Sequence, residues 1–277
     1  MATNDEQIAL WNGPSGTTWV AMQERLDIQL LPLGRATMDV LAPCAGERIL
    51  DIGCGSGQST IELAERVGPT GRVLGVDVSE TLLEVARSRA GDRADFAVGD
   101  AQVYQFEPNH DAIYSRFGVM FFADPVAAFT NLAGALRPGG RLAFLCWRRP
   151  EENPVMTVPL MAALAAGAPP PEPSVPGAPG PFAFADKERV AGILRSAGFT
   201  DIVHTPRDAL MGGNDLEASF DLAFQVGPLA RMLRDKPDLR PSVEGAVHAA
   251  LSKYVVDGIV MMPSATWIVT ATVTNVR

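Results

Sequence analysis

The stretch Arg48-Ile49-Leu50-Asp51-Ile52-Gly53-Cys54-Gly55-Ser56-Gly57-Gln58 decides the fold of this chain. A short apolar run ends near an acid, and three glycines follow at alternate positions. The run reads as a strand buried on both faces, as in a parallel sheet. Gly53, Gly55 and Gly57 let the backbone turn tightly and come close to a ligand with no Cβ in the way. Gln58-Ser59-Thr60 then opens a helix, read as Gln58 to Val67, whose free N–H groups face the same spot. Dinucleotide-binding turns space their glycines G-x-G-x-x-G and usually lack the acid at the strand end. Here the spacing is G-x-G-x-G, with Asp51 two residues before the first glycine. An acid at that point suits a ligand with an ammonium group and disfavours a pyrophosphate.

Four further stretches follow in order. Gly71-Arg72-Val73-Leu74-Gly75-Val76-Asp77-Val78-Ser79 reads as a second buried strand ending in Asp77, and Ala94-Asp95-Phe96-Ala97-Val98-Gly99-Asp100-Ala101-Gln102 as a third with its turn. His110-Asp111-Ala112-Ile113-Tyr114-Ser115-Arg116-Phe117-Gly118-Val119-Met120-Phe121-Phe122 runs from a fourth strand into a loop. Leu136-Arg137-Pro138-Gly139-Gly140-Arg141-Leu142-Ala143-Phe144-Leu145-Cys146-Trp147 reads as a turn and a fifth strand. Together with the glycine turn, these motifs resemble those of the class I S-adenosylmethionine-dependent methyltransferases. The Trp11-Asn12-Gly13-Pro14-Ser15-Gly16 opening and the Ser115-Arg116-Phe117-Gly118 loop resemble the small-molecule branch that includes the ubiquinone/menaquinone-biosynthesis enzymes.

The resemblance implies S-adenosyl-L-methionine as cofactor. Asp51, Gly53, Cys54, Gly55 and Gly57 are expected at its methionine end, Asp77 and Val78 at the ribose, and Asp100, Ala101 and Gln102 at the adenine, with Ser115 nearby. Phe117, Met120, Phe121 and Trp147 are expected to line an acceptor pocket, with at least one of Phe121 and Phe122 partly in the core. Trp11 and Trp19 either close over the ligand or anchor their segment to the core. No catalytic residue is fixed, but two candidates stand out. Arg116 could pair with an acidic acceptor, or form a salt bridge to Asp124 or another local acid. His248 could face the pocket as a base, or sit on a solvated helix face.

The implied architecture is a doubly wound α/β sheet of seven strands, Rossmann-like, with the last strand antiparallel and helices on both faces. Residues 1–47 read as a helical extension over the site, with Leu26, Leu30, Leu33 and Val40 at helical spacing. Residues 48–277 form the methyltransferase domain of this reading. Within it, residues 148–181 read as a proline-rich connector, and strand six as 199–204. Leu216–Gln225 and residues 243–255 pattern as helices, so residues 214–256 read as an inserted helical cap before a last strand at 266–272.

The 277-residue chain carries a net charge of −9 and no Lys/Arg cluster, which argues against a nucleic-acid substrate. Its three cysteines are too far apart for a metal site, so no metal is expected. No apolar run reaches the roughly 20 residues of a membrane span, and the N-terminus lacks the pattern of a secretory signal. A cytoplasmic enzyme acting on a small, apolar or aromatic metabolite is the expected whole, with homo-oligomerisation left open. Two alternatives remain. One is a protein of this fold that binds the cofactor for other chemistry or without turnover; the other, an NAD-dependent oxidoreductase, is disfavoured by the glycine spacing.

Overall fold

The structure is a computed structural model and describes residues 3–171, 175 and 177–274. The decisive stretch forms strand β1 (Arg48–Ile52), buried from its second residue onward, followed by helix α4 (Gln58–Val67). Strands β2 (Arg72–Asp77), β3 (Asp95–Val98), β4 (His110–Arg116) and β5 (Leu136–Trp147) join it in one sheet. The order is β3-β2-β1-β4-β5-β8-β6, where β6 is Phe199–Gly212 and β8 is Ile259–Val273. Strands β1 to β5 pair in parallel, and β8 runs antiparallel between β5 and β6. This is the expected doubly wound α/β arrangement with an antiparallel last strand. A two-residue strand β7 (Val255–Val256) is added as a hairpin on β8.

Helices cover both faces, because parallel strands must be buried on each side. On one face, Met38 and Leu41 of α3 (Gln23–Leu41) and Leu63 and Val67 of α4 pack on Ile49, Val73 and Tyr114. On the other, Phe129 and Leu132 of α6 (Pro125–Ala135) and Val190 and Leu194 of α8 (Lys187–Ser196) pack with Phe144, Phe184 and Phe199. Each such side chain contributes roughly 1.5–3 kcal/mol by leaving water. Helix α5 (Glu80–Ala90) sets Leu83 and Ala86 against Phe96 and Cys54. Along α3, Leu26, Leu30 and Leu33 are buried as expected, but Val40 is exposed; Met38 and Leu41 take the inward positions.

The segment after β5 differs from its reading as a connector. Residues Pro154–Ala165 form helix α7. Pro154 stands in the first turn, where its missing N–H costs nothing, and Pro159, in the helix interior, is buried. The remainder, residues 166–181, has no helix or strand among its described residues; residues 172–174 and 176 lie outside them.

Strands β6 and β8 are each longer than their sequence pattern suggested and run on as a two-stranded ribbon as far as Gly212 and Met261. Only glycine fits at position 212, since a Cβ there would lie 1.8 Å from the Val260 carbonyl oxygen. The ribbon carries α9 (Leu216–Gln225), α10 (Pro228–Asp235) and α11 (Arg240–Ser252). Helix α9 matches its expected bounds. Helix α11 ends before Val255, which joins β7, and α10 had no counterpart in the sequence reading. Phe224, Leu229, Met232, Val243, Val247 and Leu251 close a second small core against α7 and β8.

Candidate functional site

The carboxyl ends of β1 to β4 converge where open α/β sheets hold ligands. Gly53, Gly55 and Gly57 all take positive φ (+68°, +53° and +79°). A Cβ on Gly53 would lie 2.7 Å from Gly118 Cα, and one on Gly57 would lie 2.8 Å from Ala86 Cβ, so both are fixed by packing. At Gly55 a Cβ would meet no protein atom within 4 Å. That opening is where a ligand can approach the backbone.

Asp51 is fully buried beneath the turn. Ser59 Oγ and Thr60 Oγ1 each donate to its Oδ2 at 2.7 Å, while its Oδ1 is sealed from water with no partner. Burial pushes its pKa up from 3.8 to about 6, against the two hydroxyl bonds and the Arg116 charge. An unsatisfied carboxylate oxygen beside an open glycine turn fits the ammonium group of S-adenosylmethionine. Asp77 at the end of β2 accepts from Gly55 N–H (2.8 Å) and Ser79 N–H (2.9 Å), and burial raises its pKa. Cys54 is buried, its thiol pushed well above the ordinary range, so it fills space in the turn and is no nucleophile.

Asp100 Oδ1 accepts from Gln102 N–H, and the buried Gln102 side chain accepts from Asp124 N–H. The Ala101 carbonyl accepts from Asn131, and the Val78 carbonyl accepts from Asn12 Nδ2 (2.8 Å). Ser115 Oγ donates to the Ile52 carbonyl at 2.7 Å, so its hydroxyl ties β4 to β1.

Helices α1 (Asp5–Asn12) and α2 (Pro14–Ala21) lie across these strand ends. Ser79 Oγ donates to the Trp11 carbonyl, Glu80 N–H donates to Asn12 Oδ1, and Asn4 Nδ2 donates to Asp100 Oδ1. Trp11 meets Trp19 and Phe121 edge to face, with ring centroids 5.5 and 5.4 Å apart. Phe117, at φ +61°, stacks on Trp147 at 4.4 Å. Met120 is 1 % exposed and belongs to the main core rather than to a pocket wall. Phe121 stays partly exposed while Phe122 is buried.

Neither catalytic candidate stands in this aromatic group. The Arg116 guanidinium turns toward α3, donating to Gln58 Oε1 and lying 3.8 Å from Asp27. Asp124 does not pair with it; Asp124 caps α6 by accepting from Ala127 N–H. His248 is half-buried on α11, where it meets Glu217 of α9 at 2.9 Å and packs edge-on against Phe220, away from the strand ends. His110 is held at the start of β4 by the Glu107 and Ala135 carbonyls, and His204 of β6 packs on Trp267 of β8. The sequence reading misses Asn4, Asp27 and Arg89, and has Ser79 only as a helix cap. Asn4 and Asn12 share one face of α1 at eight-residue spacing, a polar stripe that could have drawn attention to that face.

Residues 49–140 match the family model described as a methyltransferase domain. Over 127 residues the chain is 37% identical to aklanonic acid methyltransferase DauC of Streptomyces sp. (strain C5), covering 44% of this chain and 58% of that protein. Nocamycin O-methyltransferase of Saccharothrix syringae is 26% identical over 239 residues, 82% of this chain and 85% of its own. The ubiquinone/menaquinone biosynthesis C-methyltransferase UbiE of Pseudomonas putida is 34% identical over 125 residues, 43% of this chain and 49% of its own. The chain thus spans about half the length of two of these three relatives. Among solved structures, phosphoethanolamine N-methyltransferase 2 of Haemonchus contortus shares the fold at a TM-score of 0.54 and 21% identity, covering 88% of this chain and 52% of that one. With the glycine turn and strand order already described, residues 49–140 are a methyltransferase domain, and beyond them the chain is similar to methyltransferases of small molecules.

Proposed function

We propose that the protein transfers a methyl group from S-adenosylmethionine to a small apolar or aromatic acceptor. The observation that carries this reading is the sealed, unpartnered Oδ1 of Asp51 below an open glycine turn, with an aromatic group at the neighbouring strand ends. When bound, the cofactor supplies an electrophilic methyl on a sulfonium. Asp51 and the turn would hold its ammonium end, Asp77 its ribose hydroxyls, and Asp100 with Ala101 and Gln102 its adenine. Trp11, Trp19, Phe117, Phe121 and Trp147 would offer flat apolar walls that orient a planar acceptor and exclude water. Alignment and desolvation are the main sources of rate in such a displacement.

The chain divides, in this reading, into an N-terminal cover (residues 1–47) and a catalytic domain bearing a helical cap (residues 214–256). Contacts of the cover with the cap support it: Arg234 donates to Ser15 Oγ at 2.6 Å, and Arg25 pairs with Asp221 at 3.5 Å. An acceptor that arrives as a carboxylate, an enolate or a free amine needs no protein base. The name of DauC specifies an acid and that of the nocamycin enzyme an oxygen acceptor, which supports a polar handle on an otherwise apolar substrate. The net charge of −9 disfavours nucleic acid. A cytoplasmic setting is part of the reading, and no helix among the described residues is long and apolar enough to cross a membrane. Calorimetry should show binding of S-adenosylhomocysteine and none of NAD. Incubating S-adenosylmethionine with candidate acceptors should yield S-adenosylhomocysteine in step with a methylated product. Failure to bind S-adenosylhomocysteine would end this reading.

A further inference from the structure

Asn4 stands at the N-cap of α1, yet its side chain makes no capping bond. An asparagine there ordinarily accepts from a backbone N–H in the first turn, for about 1 kcal/mol. Here the amide turns to Asp100 instead, with Nδ2 donating to Oδ1 at 3.3 Å across 96 residues of sequence. Asn4 is only 6 % exposed, and its own Oδ1 is buried without a donor. Gln7, one turn along the same face, also carries a buried side-chain oxygen without a donor. Two orphan acceptors on one helix face, beside a carboxylate, leave two oxygens to which the chain supplies no donor.

We propose that Asn4 is a specificity residue for the adenine amino group, a reading that rests on the assignment of S-adenosylmethionine above. The amino group carries two N–H donors diverging in the plane of the ring. Asp100 would accept one, and Asn4 Oδ1 the other. The fit is metric as well as chemical. Oδ1 lies about 2.2 Å from Nδ2 in an amide of standard dimensions, which sets it no more than about 5.5 Å from Asp100 Oδ1. Two hydrogen bonds of about 2.9 Å from one –NH2 group span acceptors roughly 5 Å apart. Because Oδ1 is sealed from water in this conformation, the ring reaches it only as α1 moves outward and closes again. Adenine recognition and closure of the N-terminal cover are then one event.

The test is a ligand-by-residue cycle read by calorimetry on the full chain. Wild type and Asn4→Ala are titrated with S-adenosylhomocysteine and with its analogue bearing hydrogen in place of the 6-amino group. The preference of wild type for the amino-bearing ligand should fall five- to tenfold in Asn4→Ala. An Asn4→Ser variant, which keeps a capping residue, should show the same fall, and thermal melts should show both variants folded. A variant that weakens both ligands by the same factor makes Asn4 a mere anchor of α1 and overturns the proposal. If wild type binds S-adenosylhomocysteine but the preference is unchanged by either substitution, the proposal fails and the cofactor assignment stands. If wild type binds neither ligand, the cofactor assignment itself has failed.

Discussion

Asp51 should make stability and ligand affinity respond to pH in opposite directions. Its carboxyl is fully buried, with a folded pKa of about 6 against an ordinary 3.8. An acid whose pKa is raised by folding binds its proton more tightly in the native state. Between those two values the native state therefore holds more protons than the unfolded chain, and stability falls as pH rises through the window. The gap corresponds to about 3 kcal/mol, or roughly 5 °C in melting temperature for a chain of this size. The ligand ammonium pairs with the ionised form, so affinity should rise with pH up to about 6, approaching tenfold per unit below it, and then level off. Asp51→Asn keeps the shape and removes the titration. Melting curves for both proteins between pH 4.5 and 8, with and without S-adenosylhomocysteine, read both effects. Without ligand, the melting temperature of Asp51→Asn relative to wild type should climb by roughly 3 °C from pH 4.5 to 7.5, the part of the linkage that falls in this range. With ligand, wild type should gain stabilisation over that range, while Asp51→Asn stays weakly stabilised throughout. Asp77 titrates in the same sense but is common to both proteins, so the difference cancels it. A difference flat with pH, or wild-type affinity constant from pH 5 to 7, would refute the reasoning.

Two glycines should separate folding from binding. In Gly118→Ala a Cβ would sit 2.7 Å from the Ile52 carbonyl oxygen and 2.9 Å from Gly53 Cα, so melting temperature should drop by several degrees, about 2 kcal/mol or more. Gly55→Val has open space at its Cβ but a φ of +53°, and should lose S-adenosylhomocysteine binding in calorimetry while still unfolding cooperatively. Asp77→Ala should weaken that binding by about 1.5–3 kcal/mol, the range of charge-assisted hydrogen bonds, and undiminished affinity would move the ribose contact elsewhere. Deleting residues 1–20 should abolish turnover while lowering the melting temperature only slightly; equal losses in both would make the segment a structural support.

What the sequence made legible was local. The glycine spacing, the strand-end acids and the Ser79 cap of α5 are written within windows of ten residues, where backbone conformation and capping decide. What escaped depends on partners far along the chain. Helix α7 hides behind Pro159 in its interior, whose cost is offset only by packing of the helix against α11 and the sheet. Helix α10, eight residues long, is the exception: its Leu229, Met232 and Leu233 at helical spacing are a local signal that the reading passed over. Val40 fits the α3 stripe as well as Met38, and only the position of the sheet decides which is buried. The partner of Arg116 is Asp27, 89 positions earlier, where proximity in sequence pointed to Asp124. Ser115 is expected near the cofactor and Met120 in the acceptor pocket, but the hydroxyl of one and the side chain of the other are absorbed by the scaffold.

The polar cluster around Asp27 explains why the cut at residue 20 is the informative one. Arg89 donates through Nη1 to the Ser56 carbonyl of the glycine turn and through Nη2 to Asp27 of α3, both within 2.8 Å. Asp27 also accepts from Gln23 and faces Arg116, which in turn reaches Gln58 at the start of α4. With side chains only 11–29 % exposed, this cluster is shielded enough to be stronger than a surface ion pair. Helix α3 thus braces the glycine turn, while α1 and α2 are tied to the ends of β2 and β3 and to the start of α5. Removing α3 as well would leave two guanidinium groups without their shared carboxylate, loosen the turn, and lose ligand binding for a reason unrelated to closure. Stopping at residue 20 keeps Gln23 and Asp27 in place. A loss of turnover then reports on the cover alone, with the cradle beneath it still formed.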